Sequence, residues 1–269
     1  MTGVQTCALP ICRNTAFIIA DTPYRLAPTG TAILNWADGN AVDSITTADP
    51  YMGVFYPSGI TNNPFTTGNA EVMVPASHMA LRTLIRNDDV AFPWFAPAGL
   101  RRGLIDNATR VGYLDQNGEL VSVGLTESLR DTLYENKINP ITQFPGVGLV
   151  NFGQKTLNPY ASALDRINVA RLVAYIRERL QLIVRPFLFE PNDKITRDEA
   201  KQVVESLMND LVAKRGLYDY LVVCDDTNNT PSRIDANELY IDVAIEPVKA
   251  VEFIYIPVRI KNTGGIAAG

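Results

Sequence analysis

The chain has 269 residues, of which 46% are hydrophobic and 20% are charged, and its formal net charge is −5. This composition is that of a globular protein with a substantial core, and the length suits one large or two ordinary domains. The acidic balance gives no support for nucleic-acid binding, and no apolar run reaches the roughly 18–20 residues of a membrane-spanning helix. Only Cys224 lies outside the first twelve residues, so we expect no intrachain disulfide and a reducing compartment during folding.

The first twelve residues differ in character from the rest. Residues 1–11 read as the translation of a common sequencing-library adapter, with Cys12 at its edge, and a natural leader is the alternative. The stretch lacks the basic start and the sustained apolar core of a signal peptide. We therefore treat residues 1–12 as an adapter artefact and expect the natural protein to extend further upstream, which would make this chain its C-terminal part.

Short apolar runs predict two strands in the first half of the chain, at residues 14–21 and 52–57. A turn-rich loop follows the second strand. Ser77 is suited to cap a helix with an apolar row toward the core, made by Met79, Ala80, Leu84 and Ile85. Residues 92–99 combine aromatic side chains with prolines and a glycine, a pattern that favours a packed, irregular loop.

A further helix is predicted at residues 126–137, with Leu125, Leu129 and Leu133 in one row. Asn139-Pro140 ends it, because the residue before a proline is pushed out of the helical region. We place a domain boundary there, which divides the chain into residues 13–137 and 138–269.

The second half predicts two long amphipathic helices. Ser162 and Asp165 resemble a capping box for the first, whose apolar stripe ends before Pro186. Thr196 and Glu199 form a capping-box pair for the second, which Gly216 terminates. The stripe of the first helix comprises Leu164, Ile167, Leu172, Val173, Ile176, Leu180 and Ile183, and that of the second comprises Ala200, Val203, Val204, Leu207, Met208, Leu211 and Val212.

Beyond residue 216 the apolar period changes to two. Residues 221–224 predict a short buried strand, residues 225–235 a polar loop, and residues 239–246 a half-buried strand. A last apolar strand is predicted at residues 252–260, and Pro257 restricts it to a sheet edge or an arm because proline donates no ladder hydrogen bond. A strand so apolar and so close to a chain end needs a partner sheet, which we expect in another subunit. The fold class is therefore α+β (mixed α/β), with an exchangeable C-terminal strand.

Candidate catalytic and metal-binding groups are sparse. His78 is the only histidine, and its neighbour Ser77 invites a hydrolase interpretation, but no nucleophile elbow is present and a helix-start role is favoured. One histidine and one secure cysteine cannot build a usual zinc ligand set. Residues 225–235 hold several Asp and Asn but lack the glycine and final glutamate of a calcium loop, so a solvated loop is favoured.

The order of several short segments resembles the contractile-tail sheath proteins of bacteriophages and related injection particles. The segments that carry the resemblance are Ala20-Asp21-Thr22-Pro23, Phe55-Tyr56-Pro57, Val74-Pro75-Ala76-Ser77-His78, Ala96-Pro97-Ala98-Gly99, Ile138-Asn139-Pro140-Ile141, the stretch 163–169, Phe189-Glu190-Pro191-Asn192, Cys224-Asp225 and Glu252-Phe253-Ile254. Ala76 and a missing glycine depart from the family pattern. No single motif is diagnostic, but the ordered set covers essentially everything after Arg13.

The resemblance implies a structural subunit without enzymatic activity or cofactor. In that family, subunits stack as hexameric rings around a tail tube, and contraction drives the tube through the host envelope. It implies a partial main sheath α/β domain at residues 13–137, followed by a tube-facing domain of two helices on a small sheet at residues 138–269. The expected partners are other sheath subunits, the tube protein, the baseplate and the tail terminator, with no nucleic acid and no membrane. The expected location is the virion tail, and the host cytoplasm during assembly.

Two sets of site residues follow from the resemblance. The arm strand would contact a neighbouring subunit through Glu252, Phe253, Ile254, Tyr255, Ile256, Val258 and Ile260. Arg166, Arg177 and Arg185 could face the tube, against the simpler interpretation that they are solvated. Two alternatives remain open: a baseplate or other tail-associated protein with the same domain, and a hydrolase that uses Ser77 and His78.

Overall fold

The computed structural model describes residues 16–41, 43–44, 47–65, 70–252 and 254–256. Within these ranges the fold is α+β, as the sequence predicts. The helices are α1 (Gly30–Ala37), α2 (Ala76–Val90), α3 (Gly99–Arg102), α4 (Glu127–Glu135), α5 (Ile167–Ile183), α6 (Lys194–Ala213) and α7 (Pro231–Asp235). The strands are β1 (Ile18–Asp21), β2 (Met52–Tyr56), β3 (Ser58–Asn62), β4 (Glu71–Val74), β5 (Leu104–Ile105), β6 (Arg110–Leu114), β7 (Leu120–Ser122), β8 (Ile138–Phe144), β9 (Gly148–Asn151), β10 (Leu217–Val223) and β11 (Asp242–Pro247).

The central sheet has the strand order β1-β2-β8-β9-β5 among the described residues. β1, β2 and β8 run parallel to one another, whereas β9 runs antiparallel to β8 and β5 runs antiparallel to β9. Side chains of β2 alternate between two cores, as the two-residue period of a strand requires. Phe55 lies in a core with Met79 and Leu84 of α2, whereas Val54 and Tyr56 lie in an opposite core. The sheet is therefore covered on both faces, and this explains why β2 is apolar throughout.

A second sheet, β4-β3-β6-β7, is antiparallel and shares the core beneath α2. The predicted loop after residue 57 is thus partly a strand, because β3 begins at Ser58. The helix that Ser77 was predicted to cap begins at Ala76, and its N-cap is Pro75, so Ser77 lies inside the first turn and does not cap it. Met79, Ala80 and Leu84 are buried as predicted, but Ile85 is 47% exposed, so the apolar row is narrower than the sequence suggests.

The predicted domain boundary at Asn139-Pro140 falls inside the central sheet. β8 pairs with β2 through Ile138, Asn139 and Pro140, and then with β9. A division between residues 137 and 138 would therefore cut a hydrogen-bonded sheet. By sheet continuity the first unit extends through Asn151, and the long helices begin after it.

The C-terminal unit consists of α5, α6 and the antiparallel hairpin β10–β11. Both predicted helices are present, with different starts. Ser162 caps a 3-10 turn at Ala163–Asp165, and α5 begins only at Ile167. The N-cap of α6 is Asp193, whose side chain accepts a hydrogen bond from Thr196 N at 2.9 Å. The core between helices and hairpin contains Leu172, Ile176, Val204, Met208, Leu211, Leu217 and Val222.

The hairpin confirms the two-residue period of the sequence. Val243 and Ile245 are partly buried against the helices, while Ala244 and Glu246, which alternate with them, are exposed. β10 is longer than predicted, and Leu221 is 61% exposed rather than buried. The predicted polar loop contains the short helix α7 and two buried asparagines, Asn228 and Asn229. In the part of the chain that the structure describes, no helix is both long and apolar enough to cross a membrane.

Candidate subunit interface

The chain after β11, residues 248–252 and 254–256, is called here the C-terminal segment. Val248 N donates to Gly216 O at 3.0 Å, beside the start of β10. The segment then reaches the start of α5, where the side chain of Glu252 is only 15% exposed. None of these residues forms a strand. At Glu252 the segment is therefore held by side-chain contacts and not by the hydrogen bonds of a strand ladder.

Three side chains converge on the carboxylate of Glu252. Arg166 donates from Nε to Oε1 at 2.5 Å and from Nη2 to Oε2 at 2.9 Å, the two-bond geometry in which guanidinium groups bind carboxylates best. Gln154 Nε2 and Tyr134 Oη each donate to Oε1 at 3.0 Å. We call these four residues the Glu252 site. Its donors precede Glu252 by 86, 98 and 118 residues, so only the folded chain assembles it.

The backbone places Arg166 at this site. Arg166 is the N-cap residue of α5 and pairs with Lys155 in an isolated antiparallel bridge. Lys155 is held by the buried Asn139, whose Oδ1 accepts from Lys155 N at 2.6 Å and whose Nδ2 donates to Val54 O at 2.9 Å. A chain of hydrogen bonds therefore connects the central sheet to Arg166 and, through it, to Glu252.

The electrostatics favour an ionised carboxylate beside a neutral phenol. Burial alone would raise the pKa of Glu252, but the hydrogen bonds from Arg166, Gln154 and Tyr134 outweigh it and lower that pKa below its usual value. Burial, and then the charge of Glu252, raise the pKa of Tyr134, so its hydroxyl stays a donor. Lys155 Nζ donates to Tyr134 O at 2.8 Å and lies 4.2 Å from the tyrosine ring centroid.

Beyond Glu252 the described side chains are open to solvent. Ile254, Tyr255 and Ile256 are 78%, 87% and 78% exposed. Consecutive large apolar residues so exposed are typical of a surface that binds another chain. The other predicted arm residues, Phe253, Val258 and Ile260, and the interrupting Pro257 lie outside the described residues. The arm strand itself therefore stays a prediction.

The hairpin offers a surface suited to strand addition. Among the described residues, β10 and β11 pair only with each other, so each strand has one edge without a strand neighbour. Tyr218 and Leu221 of β10 are 62% and 61% exposed. Two-stranded sheets are marginally stable alone, and an open edge can accept a strand from another chain.

The three predicted tube-facing arginines have different surroundings. Arg166 bonds Glu252 and also contacts Asp165, with Nη1 3.0 Å from Oδ2. The guanidinium carbon of Arg177 lies 5.6 Å from the ring centroid of Tyr51. Arg185 begins the exposed 3-10 turn after α5. At 1.5 Å per helical residue, Arg166 and Arg185 flank α5 roughly 25–30 Å apart. Arg166 is thus paired with carboxylates of its own chain, and the tube-facing role stays a prediction for all three arginines.

Ser77 and His78 lie in the first turn of α2, where Ser77 is half-buried and His78 is exposed. Asp21, at the end of β1, accepts from Ser77 N at Oδ1 and from Ser77 Oγ at Oδ2, both at 2.6 Å. This carboxylate fastens the start of the helix to the central sheet. The hydroxyl of Ser77 thus has Asp21 as its hydrogen-bond acceptor, in accord with the favoured helix-start role.

The Asp- and Asn-rich loop after β10 has a structural explanation. Asn228 Nδ2 donates to Val223 O at 2.8 Å and to Asp242 Oδ2 at 2.8 Å, which joins the two hairpin strands. Asn229 is 1% exposed and both donates to and accepts from the backbone of Tyr240. Over the described ranges, no group of three or more His, Cys, Asp or Glu side chains is arranged to hold a metal ion.

Sequence reasoning missed the donors of the Glu252 site. Glu252 was predicted as an arm residue and Arg166 as a tube-facing residue, and the structure brings these two together. Tyr134 and Gln154 carry no local signal, because their role depends on contacts with a residue about a hundred positions away.

Comparison with known proteins finds matches among phage tail sheath proteins. Residues 161–261 match the family model of the phage tail sheath C-terminal domain. The chain is 38% identical over 167 residues to the tail sheath protein of Vibrio phage KVP40, an alignment of 62% of this chain and 23% of that protein. It is 35% identical over 179 residues to the tail sheath protein of Enterobacteria phage T4, covering 66% of this chain and 26% of that protein. The chain thus spans about a quarter of the length of these relatives.

Solved structures share the fold. The sheath complex of an extracellular contractile injection system in its contracted state superimposes with a TM-score of 0.73, at 21% identity over 90% of this chain and 63% of that one. A chain of the anti-feeding prophage baseplate gives a TM-score of 0.69, at 21% identity over 91% of this chain and 60% of that one. The structures with a similar fold include a sheath complex, and the sequence relatives are tail sheath proteins. Residues 161–261 belong to the phage tail sheath C-terminal domain family, and the chain is homologous to phage tail sheath proteins.

Proposed function

We propose that this chain belongs to a structural subunit that polymerises as stacked hexameric rings around a tail tube. The observation that carries the proposal is the C-terminal segment, which is held at Glu252 and then presents Ile254, Tyr255 and Ile256 to solvent within a sheath-family domain. Exposed apolar side chains of this kind are an aggregation hazard in a monomer and a contact in an assembly.

The C-terminal segment would act by strand addition. Residues 252–260 of one subunit would pair with an open edge of the β10–β11 hairpin in a neighbour. Main-chain hydrogen bonds would supply the strength, and alternating side chains would set the register. Val258 and Ile260 would then continue the face begun by Ile254 and Ile256. Such pairing links subunits by flexible connections, so the links can persist while the subunits rotate.

Contraction would convert a metastable extended packing into a contracted one by rigid-body rotation of subunits. The rotation would drive the tube through the host envelope, with the strand connections intact. The tube protein, the baseplate and the tail terminator would be the partners, and Arg177 and Arg185 are candidates for the tube-facing surface. The protein would assemble in the host cytoplasm and reside in the virion tail.

Deletion of residues 252–269 from the protein encoded by the complete reading frame tests this function. The intact protein should polymerise into tubes of uniform width under the electron microscope. The deletion variant should remain in short or unlinked oligomers, although its C-terminal core stays folded. Tubes of normal length and normal contraction in the variant would contradict the role of the arm.

A second candidate is a baseplate or other tail-associated protein that shares the domain. The fold similarity to a baseplate chain favours including it. The same microscopy distinguishes the two functions, because a baseplate component alone should form discrete particles rather than tubes.

A further inference from the structure

We propose that Glu252 and Arg166 are positioning residues that anchor the C-terminal segment and fix the point where it leaves the subunit. The proposal rests on the proposed function only for the use of the segment in assembly. The anchor itself is a contact within one chain and can be measured without any assembly.

Burial along the segment locates the anchor. Val251 is 80% exposed and Ile254 is 78% exposed, whereas the side chain of Glu252 between them is 15% exposed. A partly buried carboxylate between two exposed apolar residues inverts the usual pattern of a surface segment. The polar side chain is therefore the attachment point, and the apolar side chains are left available to another chain.

The arrangement of the donors explains why this attachment is directional. Tyr134 comes from α4, Gln154 from the connection after β9, and Arg166 from the start of α5. Because they approach one carboxylate from three elements, they restrict its rotation as well as its position. The two-bond geometry of Arg166 adds a further angular constraint.

The location of Arg166 makes this anchor rigid. Its backbone is paired with Lys155, which the buried Asn139 connects to β2 of the central sheet. A pull on the C-terminal segment would thus reach the central sheet instead of bending a surface loop. Isolated surface ion pairs contribute little to stability. This pair is partly buried, and each partner has further contacts: Arg166 in the bridge with Lys155, and Glu252 with Tyr134 and Gln154.

Loss of the charge should release the segment. In Glu252→Gln the amide cannot accept both guanidinium bonds, and the partly buried Arg166 keeps only its contact with Asp165 as an ion pair. Amide hydrogen–deuterium exchange at Val248, whose N donates to Gly216 O, reports the release in the purified protein. We expect exchange at Val248 to be about tenfold faster than in the unaltered chain, with β2 and β8 unchanged. Glu246→Gln, which removes an exposed carboxylate on β11, is the matched control and should leave exchange unchanged.

A charge exchange separates anchoring from general stability. Glu252→Arg alone and Arg166→Glu alone each place like charges together and should release the segment. The double variant restores an opposite pair, and Tyr134 and Gln154 can each present an acceptor to the new arginine. Exchange at Val248 should then slow again, by several-fold relative to either single variant. A stability effect without anchoring would give additive losses in the double variant.

The outcomes distinguish this proposal from the proposed function. Unchanged exchange in Glu252→Gln, or no recovery in the double variant, would overturn the anchor whatever the protein assembles into. Faster exchange together with loss of tube formation would support both. Faster exchange with normal tubes would support the anchor and would count against the strand-addition role of the C-terminal segment.

Discussion

Glu252 shows how burial and hydrogen bonding act in opposite directions on one carboxyl group. The hydrogen bonds outweigh burial, so its folded-state pKa lies below that of the unfolded chain. A lowered pKa contributes stability that is present above the unfolded value of about 4.3 and is lost as the pH falls through the folded value. Asp165, Arg166 and Lys155 are the other charged groups beside it, and the two cations favour its ionised form.

The pH dependence of unfolding should therefore identify Glu252. At pH 7 we expect Glu252→Gln to lower the free energy of unfolding by about 1.5–3 kcal/mol, the usual loss for a hydrogen bond to a charged group. The difference should shrink steadily below about pH 4, where the protonated wild-type carboxyl resembles the amide. Denaturant unfolding between pH 3 and 8 measures it, with Glu246→Gln as control. A difference independent of pH would show that the charge of Glu252 contributes nothing.

Gly153 is a second residue whose identity the fold explains. A Cβ added there would lie 2.8 Å from both Cα and Oδ1 of Asn139, the residue that joins β2 to Lys155. Since one of these atoms is backbone, the contact cannot be relieved by a side-chain rotation. The Asn139 hydrogen bonds would be displaced together with the clash.

Gly153→Ala should accordingly destabilise the protein, by about 1–3 kcal/mol, as overpacking in a core does. Gly30→Ala is the matched control, because Gly30 begins α1 and its Cβ would meet no atom within 4 Å. The control should be neutral or slightly stabilising, by up to about 1 kcal/mol. Equal effects of the two substitutions in denaturant unfolding would contradict the proposed contact.

Among the secondary-structure elements, α6 illustrates how local chemistry sets helix ends. At its start the side chain of Asp193 accepts from Thr196 N. At its end Arg215 adopts φ 61°, and Gly216 N bonds Leu211 O while Arg215 N bonds Val212 O, the two bonds of a Schellman motif. Arg215, and not Gly216, takes the left-handed conformation. A glycine is favoured at 216 for another reason, because an added Cβ would lie 3.2 Å from Trp94 Nε1.

Two substitutions distinguish this cap from the capping box that the sequence suggests. Asp193→Ala should lower the melting temperature by a few degrees, because Thr196 N loses its acceptor. Glu199→Ala should have little effect, because the structure gives Glu199 no capping role and alanine is a good helix former. Thermal unfolding followed by circular dichroism compares them. A larger loss in Glu199→Ala would favour the capping box.

The elements predicted correctly are those with strong local periodicity. Apart from Leu164, which precedes α5, and Val203, which is 39% exposed on α6, the predicted stripes of α5 and α6 and the alternation of β11 follow from the side-chain directions that sequence spacing determines. The errors have tertiary causes. Ile85 shares the helical row of Leu84 but points past the edge of the core, and Ser162 caps a 3-10 turn because Arg166 is drawn into the bridge with Lys155.

At the scale of the whole molecule, the candidate site depends on contacts that no local pattern encodes. The sequence identified the C-terminal segment through its apolar residues and Pro257, and the family resemblance gave it a use. It could not place Tyr134 or Gln154 at Glu252, because nothing near either residue distinguishes it from other polar side chains. Assembly of the site requires the central sheet and the helices to be in place first.

Residues 92–95 join the two units of the molecule. Asn87 Nδ2 fixes this loop to the end of α2 through Phe92 O and Phe95 O, at 3.1 and 3.2 Å. Trp94 stacks on Phe92 with ring centroids 4.9 Å apart and lies in the core of the C-terminal unit, where it contacts Tyr175 edge-on. Its Nε1 donates to Lys214 O at 3.1 Å, just after α6.

Trp94 follows α2 of the first unit in sequence, but its side chain packs in the core of the C-terminal unit. Its removal should therefore uncouple the unfolding of the two units. We expect Trp94→Ala to destabilise the C-terminal unit by about 3–5 kcal/mol, the usual cost of such a truncation in a core. The remaining tryptophan, Trp36, is 4% exposed in the core beneath α1 and α4, so its fluorescence reports the first unit alone. The helices of the C-terminal unit, α5, α6 and α7, hold 42 of the 78 α-helical residues described, so more than half of the helical signal in far-ultraviolet circular dichroism comes from that unit.

In the unaltered chain the two signals should share one thermal midpoint, as expected of a cooperative transition. In Trp94→Ala the dichroism midpoint should fall below the fluorescence midpoint, because the long helices unfold first. Tyr160→Ala removes an aromatic side chain that is 78% exposed and should leave the midpoints together and unshifted. Coincident midpoints in Trp94→Ala would mean that other contacts between the units, such as the 2.5 Å ion pair of Arg171 with Asp88, are sufficient to couple them.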